Sequence, residues 1–209
     1  MEIVNSQIEK YIRTLYRDDD PVLKEMEAMG ERLHFPIVGP LVGRVLQLLA
    51  EIQGAKTVYE MGSGFGYSTY WFARGLSNGG TVYHTEMSQE HSNQAKDYFE
   101  KGGQINKVKF LLGNALELID QVKEKLDIVF IDIEKEDYPK AYEKAKAKLK
   151  AGGLLIADNV LWFGRVLNQT PDSSATAGIQ KFNELLANDP DFEQVILPIR
   201  DGIAVCRKK

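Results

Sequence analysis

The sequence predicts an α/β protein: a mostly parallel sheet of seven strands with helices on both faces, an antiparallel C-terminal edge, and helices ahead of the sheet. Three observations predict it. Strand-type runs alternate with helical patterns from Lys56 to Asp158. Runs such as DIVFID (Asp127 to Asp132) and GLLIAD (Gly153 to Asp158) are continuously apolar, as expected of strands covered by helices on both sides. Each of these strands ends in a polar residue, and ligands of open α/β sheets bind at the carboxyl ends of strands.

Taken in order, Glu2 to Arg17 places Val4, Ile8, Tyr11, Ile12 and Leu15 on one helical face. Asp20-Pro21 then reads as cap and first residue of a second helix ending near Gly30. A third helix, Pro40 to Gln53 with Gly54 behind it, follows the segment His34-Phe35-Pro36-Ile37-Val38-Gly39, which is too apolar for an idle linker and is placed to cover a ligand. The first strand is Lys56 to Met61, with a helix over Tyr67 to Leu76. Strand Thr81 to Glu86, helix Ser88 to Lys101, strand Val108 to Leu112, helix Ala115 to Lys125 and strand Leu126 to Asp132 come next. Helix Tyr138 to Lys150, strand Leu154 to Asp158 and helix Thr176 to Asn188 complete the alternation. The closing strands, Phe192 to Leu197 and Ile203 to Cys206, are separated by Pro198 and Asp201-Gly202, a hairpin signal. No repeat or linker divides the chain, so 1–209 reads as one domain, a helical cap over 1–53 and an α/β core over 54–209.

Composition narrows the function. The chain of 209 residues is 44% hydrophobic and 27% charged, a soluble globular profile with no membrane-length apolar run. Met1 to Lys10 lacks a basic start followed by an apolar signal region, so a cytoplasmic location is expected. The net charge of −4 argues against a nucleic acid partner, and the basic run Lys140 to Lys150 alternates with apolar residues like the solvated face of a helix. The single cysteine, Cys206, excludes an internal disulfide and reads as a packed strand residue.

Val58 to Ser68, VYEMGSGFGYS, reads as strand, glycine turn and helix start. Such a turn lets a ligand approach the backbone, and its N–H groups with the helix N-terminus face an anion. A dinucleotide fingerprint would need glycine where Tyr67 stands; the pattern is Glu60 followed by Gly62, Gly64 and Gly66. A structural glycine turn is the bland alternative. Glu86, twenty residues after Gly66, is placed to accept the two ribose hydroxyls of an adenosine. Asp132 and Asp158 end strands that should be neighbours, and with Asn159 they offer three hard oxygens, a set suited to Mg²⁺, Mn²⁺ or Ca²⁺. His34, His84 and His91 lack ligand spacing and read as structural or surface residues. Lys135, from its EKED setting alone, reads as a solvated loop charge.

The glycine loop, Glu86, FIDIEKEDY (Phe130 to Tyr138), ADNVLWFGRV (Ala157 to Val166) and DGIAVCRK (Asp201 to Lys208) together resemble the cation-dependent O-methyltransferases of the catechol and caffeoyl-coenzyme A type. The resemblance covers the chain from Pro36 onward. It implies a Rossmann-like class I methyltransferase that uses S-adenosylmethionine and a divalent cation, Mg²⁺ first, to methylate a hydroxyl of a vicinal dihydroxy aromatic. By the same resemblance the metal ligands are Asp132, Asp158 and Asn159, and the base is Lys135. Val38, Glu60, Gly62, Gly64, Gly66, Ser68, Glu86, Met87, Asn114, Ala115 and Asp132 would surround the cofactor, and a homodimer is implied. Two positions depart from the pattern. Asn114 stands where many bacterial relatives carry aspartate, and Val195 stands where animal catechol enzymes place a substrate-touching glutamate. A metal-independent methyltransferase, a nicotinamide dehydrogenase and a non-catalytic cofactor-binding protein are the competing readings.

Overall fold

Alternation along the central strands splits the apolar side chains between two helical layers, and that division builds the molecule. The computed structural model describes residues 3–16 and 19–209; Glu2 and Arg17, the expected ends of the first helix, lie outside them. One sheet holds β1 (Thr57–Met61), β2 (Thr81–Glu86), β3 (Val108–Leu112), β4 (Leu126–Ile131), β5 (Leu149–Ala157), β6 (Phe192–Leu197) and β7 (Ile203–Lys208). Their spatial order is β3-β2-β1-β4-β5-β7-β6. The first five strands run parallel, and β7 lies antiparallel between β5 and β6, as the sequence predicts.

The helices are α1 (Ser6–Leu15), α2 (Pro21–Leu33), α3 (Gly39–Gln53), α4 (Tyr67–Gly75), α5 (Gln89–Lys101), α6 (Ala115–Gln121), α7 (Tyr138–Lys148) and α8 (Ser174–Asn188). Val58, Ile128, Phe130 and Ile156 pack with side chains of α2 to α5, among them Met26, Leu46, Phe72 and Phe99. The alternate residues Tyr59, Met61, Val129, Ile131 and Leu155 pack with α6 to α8 through Ile119, Tyr142 and Phe182. Each such side chain contributes about 1.5–3 kcal/mol when fully removed from water. By contrast, α1 buries none of its described residues. Among the described residues, no helix is long and apolar enough to cross a membrane.

Several boundaries differ from the expected ones, each for a local reason. Gly30 does not end α2; it is buried inside the helix against Ile37, and the chain turns only at His34, which adopts a left-handed φ of 52°. Helix α6 stops at Gln121 because Val122 leaves the helix to bury its side chain, and Lys148 Nζ then donates to the Val122 carbonyl at 2.6 Å. Likewise α7 ends at Lys148, and β5 begins at Leu149 instead of Leu154. Leu149 pairs with Leu126, and a register shift then restores the pairing of Ile128 with Leu154. Within the basic run, Lys144 is partnered by Asp120, Lys146 by Asp189 and Asp191, and Lys150 by Asp127. Cys206 is buried in β7, and burial pushes its thiol up to about 12, as suits a packing residue.

Candidate functional site

Strand order reverses between β1 and β4, and in open sheets that switch point leaves a crevice above the strand ends. A cavity of about 640 Å³ opens there, within the range of roughly 300–1,000 Å³ common to small-molecule sites. The segment Phe35 to Val38 forms one wall, as its apolar sequence suggests, with Phe35 packed at a tilt against Phe65 and edge-on to His91.

The cavity's first half is built by β1 and β2. Gly62 leaves β1 with φ +83°, and a Cβ there would sit 2.2 Å from the Asp132 carbonyl oxygen, so only glycine lets the ends of β1 and β4 approach this closely. Gly64 donates its N–H to Glu86 Oε2 at 2.9 Å, while Ser88 N donates to Oε1 at 2.8 Å. A carboxylate offers about four lone-pair directions. Glu86 therefore keeps acceptor capacity toward the cavity, which it lines. Beside it Met87 is 75% exposed, an apolar side chain held in the open where a flat ring could cover it. Val38, Ser68 and Ala115 line the same space.

Two expected cofactor contacts, Glu60 and Gly66, lie outside the cavity lining and need correction. Glu60 lies beneath the loop, fully buried, where Oε2 accepts from Ser63 Oγ at 2.9 Å and from the Thr69 hydroxyl. Burial pushes its carboxyl up to about 7, against the hydroxyl bonds that pull it down. Gly66 serves packing, because a Cβ on it would meet Ala95 Cβ at 3.0 Å. Asn114 lines the cavity as expected; its Oδ1 caps α6 by accepting from Leu116 N at 2.9 Å, which leaves one lone pair and the two amide donors for a ligand. His84, from β2, contacts the Gly64 carbonyl through Nε2 at 3.2 Å, and burial holds its ring down at about 4.

The second half follows β4 and β5. Ile131 pairs with Ala157, so Asp132 and Asp158, one residue beyond each, emerge side by side. Lys135 Nζ donates to Asp132 Oδ1 at 2.9 Å, to the Ile133 carbonyl at 3.0 Å and to Tyr138 Oη at 3.1 Å. Tyr138, fully buried, in turn donates to the Asp158 carbonyl at 2.9 Å. Lys135 is thus a held group on the cavity wall and not a solvated loop charge. Asp158 is fully buried; burial, reinforced by the Asp132 charge, pushes its carboxyl up to about 7, and Arg200 opposes that rise. Asn159 sits at φ +57°, its amide aimed toward Asp201, whose Oδ1 accepts from Phe163 N at 2.6 Å.

Arg200 is the residue that sequence reasoning missed. Its Nη1 donates to Asp158 Oδ2 at 2.6 Å, and it lines the cavity beside Asp132 and Asn159. Nothing marks it in sequence, since it lies in the turn before Asp201-Gly202, outside the glycine, FIDIEKEDY and ADNV runs. The expected substrate-wall position, Val195, lies instead on edge strand β6, half exposed and outside the cavity lining. A divalent cation on Asp132, Asp158 and Asn159 is the expectation this arrangement does not accommodate. The donors have the right chemistry, but the Asp158 oxygen that the backbone does not use is bound to a guanidinium, and Asp132 is bound to an ammonium.

Comparison with known proteins gives a consistent neighbourhood. The sequence pattern of the O-methyltransferase family matches residues 14–209. A catechol O-methyltransferase of Niastella koreensis is 31% identical, over 95% of this chain and 95% of its own. Caffeoyl-CoA O-methyltransferase 1 of Eucalyptus globulus is 30% identical over 79% of this chain and 72% of its own. Among solved structures, the O-methyltransferase from Bacillus cereus in complex with SAH superposes with a TM-score of 0.90 at 32% identity, covering 97% of each chain.

Proposed function

The chain belongs to the O-methyltransferase family and is an S-adenosylmethionine-dependent enzyme, and from that premise we propose that it methylates one hydroxyl of a vicinal dihydroxy aromatic small molecule. The observation that carries this reading is Lys135, a base held by Asp132, Ile133 and Tyr138 on the wall of a cavity that opens onto the glycine loop. In support, the relatives named for catechol and caffeoyl-CoA act on aromatic hydroxyls.

Glu86 at the β2 end would accept from the cofactor's ribose hydroxyls, and the exposed Met87 side chain would pack against its adenine. Val38, Gly62 and Ser68 would line its methionine end, on the side of the cavity that reaches Asp132. The acceptor enters between Lys135 and Trp162-Phe163, which line the far wall. To act as the base, Lys135 first releases to solvent one proton of the ammonium that donates to Asp132, Ile133 and Tyr138; the freed lone pair takes the hydroxyl proton, and the oxygen attacks the methyl carbon as the carbon–sulfur bond breaks, leaving S-adenosylhomocysteine. Holding nucleophile and methyl group in line supplies most of the acceleration, since no covalent enzyme intermediate is needed. No step is routed through a metal ion, because Asp158 already carries an internal cation, the Arg200 guanidinium.

A second copy of the chain is the partner that α1 suits: Ile8, Tyr11 and Leu15 stand 54%, 60% and 59% exposed on a helix that buries nothing. The test of the function is transfer of labelled methyl from S-adenosylmethionine to catechols, caffeoyl thioesters and flavonoids, with Lys135→Ala as control. Transfer to none of these by the wild type would overturn the reading.

A further inference from the structure

Arg200 occupies a backbone conformation that its residue type disfavours. The link between β6 and β7 closes with Gly202 N donating to the Ile199 carbonyl at 2.9 Å, which makes Arg200 the second residue of a four-residue turn. Its φ is +53°. Hairpin turns that need a positive φ at that position select glycine, asparagine or aspartate, because a Cβ there is strained. Strain of this kind persists where the surroundings over-determine it, and it clusters at functional sites. Here Asn159, Trp162 and Phe163 also take positive φ and line the same cavity wall.

The guanidinium is delivered to one place. It binds Asp158 Oδ2 at 2.6 Å, in a site that also holds Asp132, Lys135, Asn159 and Asp201. Asp158 is fully buried and Arg200 about one-third exposed, so the pair has a dry end and an open end. An arginine carries five N–H donors in a planar fork, so those not spent on Asp158 remain for an oxygen in the cavity.

We propose that the Arg200 guanidinium is the resident cation of this active site: it compensates Asp158, receives the acceptor's paired oxygens on its open side, and lets methyl transfer proceed without a divalent ion. The guanidinium stays charged throughout and takes no proton. It stabilises the developing oxyanion while Lys135 accepts the hydroxyl proton, so the balance of the transfer step is unchanged. The inference rests on the reading of the site as an O-methyltransferase centre, but its cation part can be tested without turnover.

The direct probe is Mn²⁺ alone, titrated into wild type and Arg200→Gly and followed by calorimetry and by thermal unfolding. Glycine relieves the positive φ, so the variant should fold, while Asp158 is left without its partner. The expected result is no saturable Mn²⁺ binding and no thermal shift in the wild type, and Mn²⁺ binding with a raised unfolding temperature in Arg200→Gly. In turnover assays the wild type should be indifferent to chelator. Arg200→Gly should lose roughly 10²-fold or more in rate, the scale of removing one oxyanion donor, and recover part of it when Mg²⁺ or Mn²⁺ is added. Arg200→Lys should keep chelator-insensitive activity at a reduced rate, since the charge remains but the fork does not. Saturable Mn²⁺ binding by the wild type at Asp132 and Asp158, or loss of its activity in chelator, would overturn the proposal. So would an Arg200→Gly variant with full activity in chelator. If the wild type methylates no phenol at all, the functional reading fails, yet the Mn²⁺ titrations still decide whether Arg200 fills the cation position.

Discussion

At the scale of single residues, the site separates groups that bind from groups that react. Glu86 is fixed by two backbone N–H donors and still faces the cavity. Glu86→Ala should therefore weaken S-adenosylmethionine binding by about 1.5–3 kcal/mol, the worth of hydrogen bonds to a charged group. Calorimetry measures this, and unchanged affinity in a folded variant would move the ribose elsewhere. Lys135→Ala should lower turnover by roughly 10² to 10⁴ while leaving cofactor affinity near normal. Its deficit should shrink as pH rises and the acceptor ionises unaided; a constant deficit across pH would remove Lys135 from proton transfer. Most of these residues were legible because they lie in short contiguous patterns at strand ends, where chemistry and topology coincide. Arg200 was not, because its role depends on a turn some forty positions after Asp158 folding back onto it. Glu60 and Gly66 were legible as members of the loop but not as its buried supports, since sequence spacing does not reveal which side of a turn faces a ligand.

At the scale of elements, the glycine loop between β1 and α4 is clamped by two buried ionisable groups of opposite sense. Glu60 holds Ser63 and Thr69, and His84 contacts the Gly64 carbonyl. Burial raises Glu60 from 4.5 to about 7. The unfolded chain therefore sheds that proton first, and the Glu60 contribution is present below pH 4.5 and lost as pH rises to about 7. Burial lowers His84 from 6.5 to about 4, so its contribution is present above pH 6.5 and lost as pH falls to about 4. Between pH 4.5 and 6.5 the two slopes oppose each other. Glu60→Gln should unmask the histidine slope, giving stability that climbs by roughly 1.4 kcal/mol per pH unit relative to wild type in that window. Urea denaturation at pH 5 and pH 6 checks it, and parallel profiles for the two proteins would show that Glu60 is ionised in the fold. Element identities followed from the sequence because period and capping signals are local. Ends such as those of α2, α6 and α7 did not, because Val122 and Leu149 leave their helices to join a core that only the assembled sheet creates.

At the scale of the whole molecule, the parallel order with its reversal between β1 and β4 gathers the glycine loop, Glu86, Asp132 and Asp158 at one rim from positions nearly a hundred residues apart. That gathering was readable in advance, since strand-end residues of an alternating α/β chain must share an edge. The partner surface was less so. If α1 is covered by a second copy, light scattering should report twice the chain mass, and Ile8→Glu with Leu15→Glu should shift it to the monomer; a wild-type monomer would leave that face to another use. The central claim is that this rim transfers a methyl group to one oxygen of an adjacent pair. Its most direct measurement is the rate of labelled methyl transfer from S-adenosylmethionine to a vicinal dihydroxy aromatic and to its mono-hydroxy analogue, with product position assigned by mass spectrometry. The account predicts a mono-O-methyl product from the paired hydroxyls and little from the single one, with both rates collapsing in Lys135→Ala. Equal rates for the two acceptors, or label recovered on nitrogen or carbon, would contradict it.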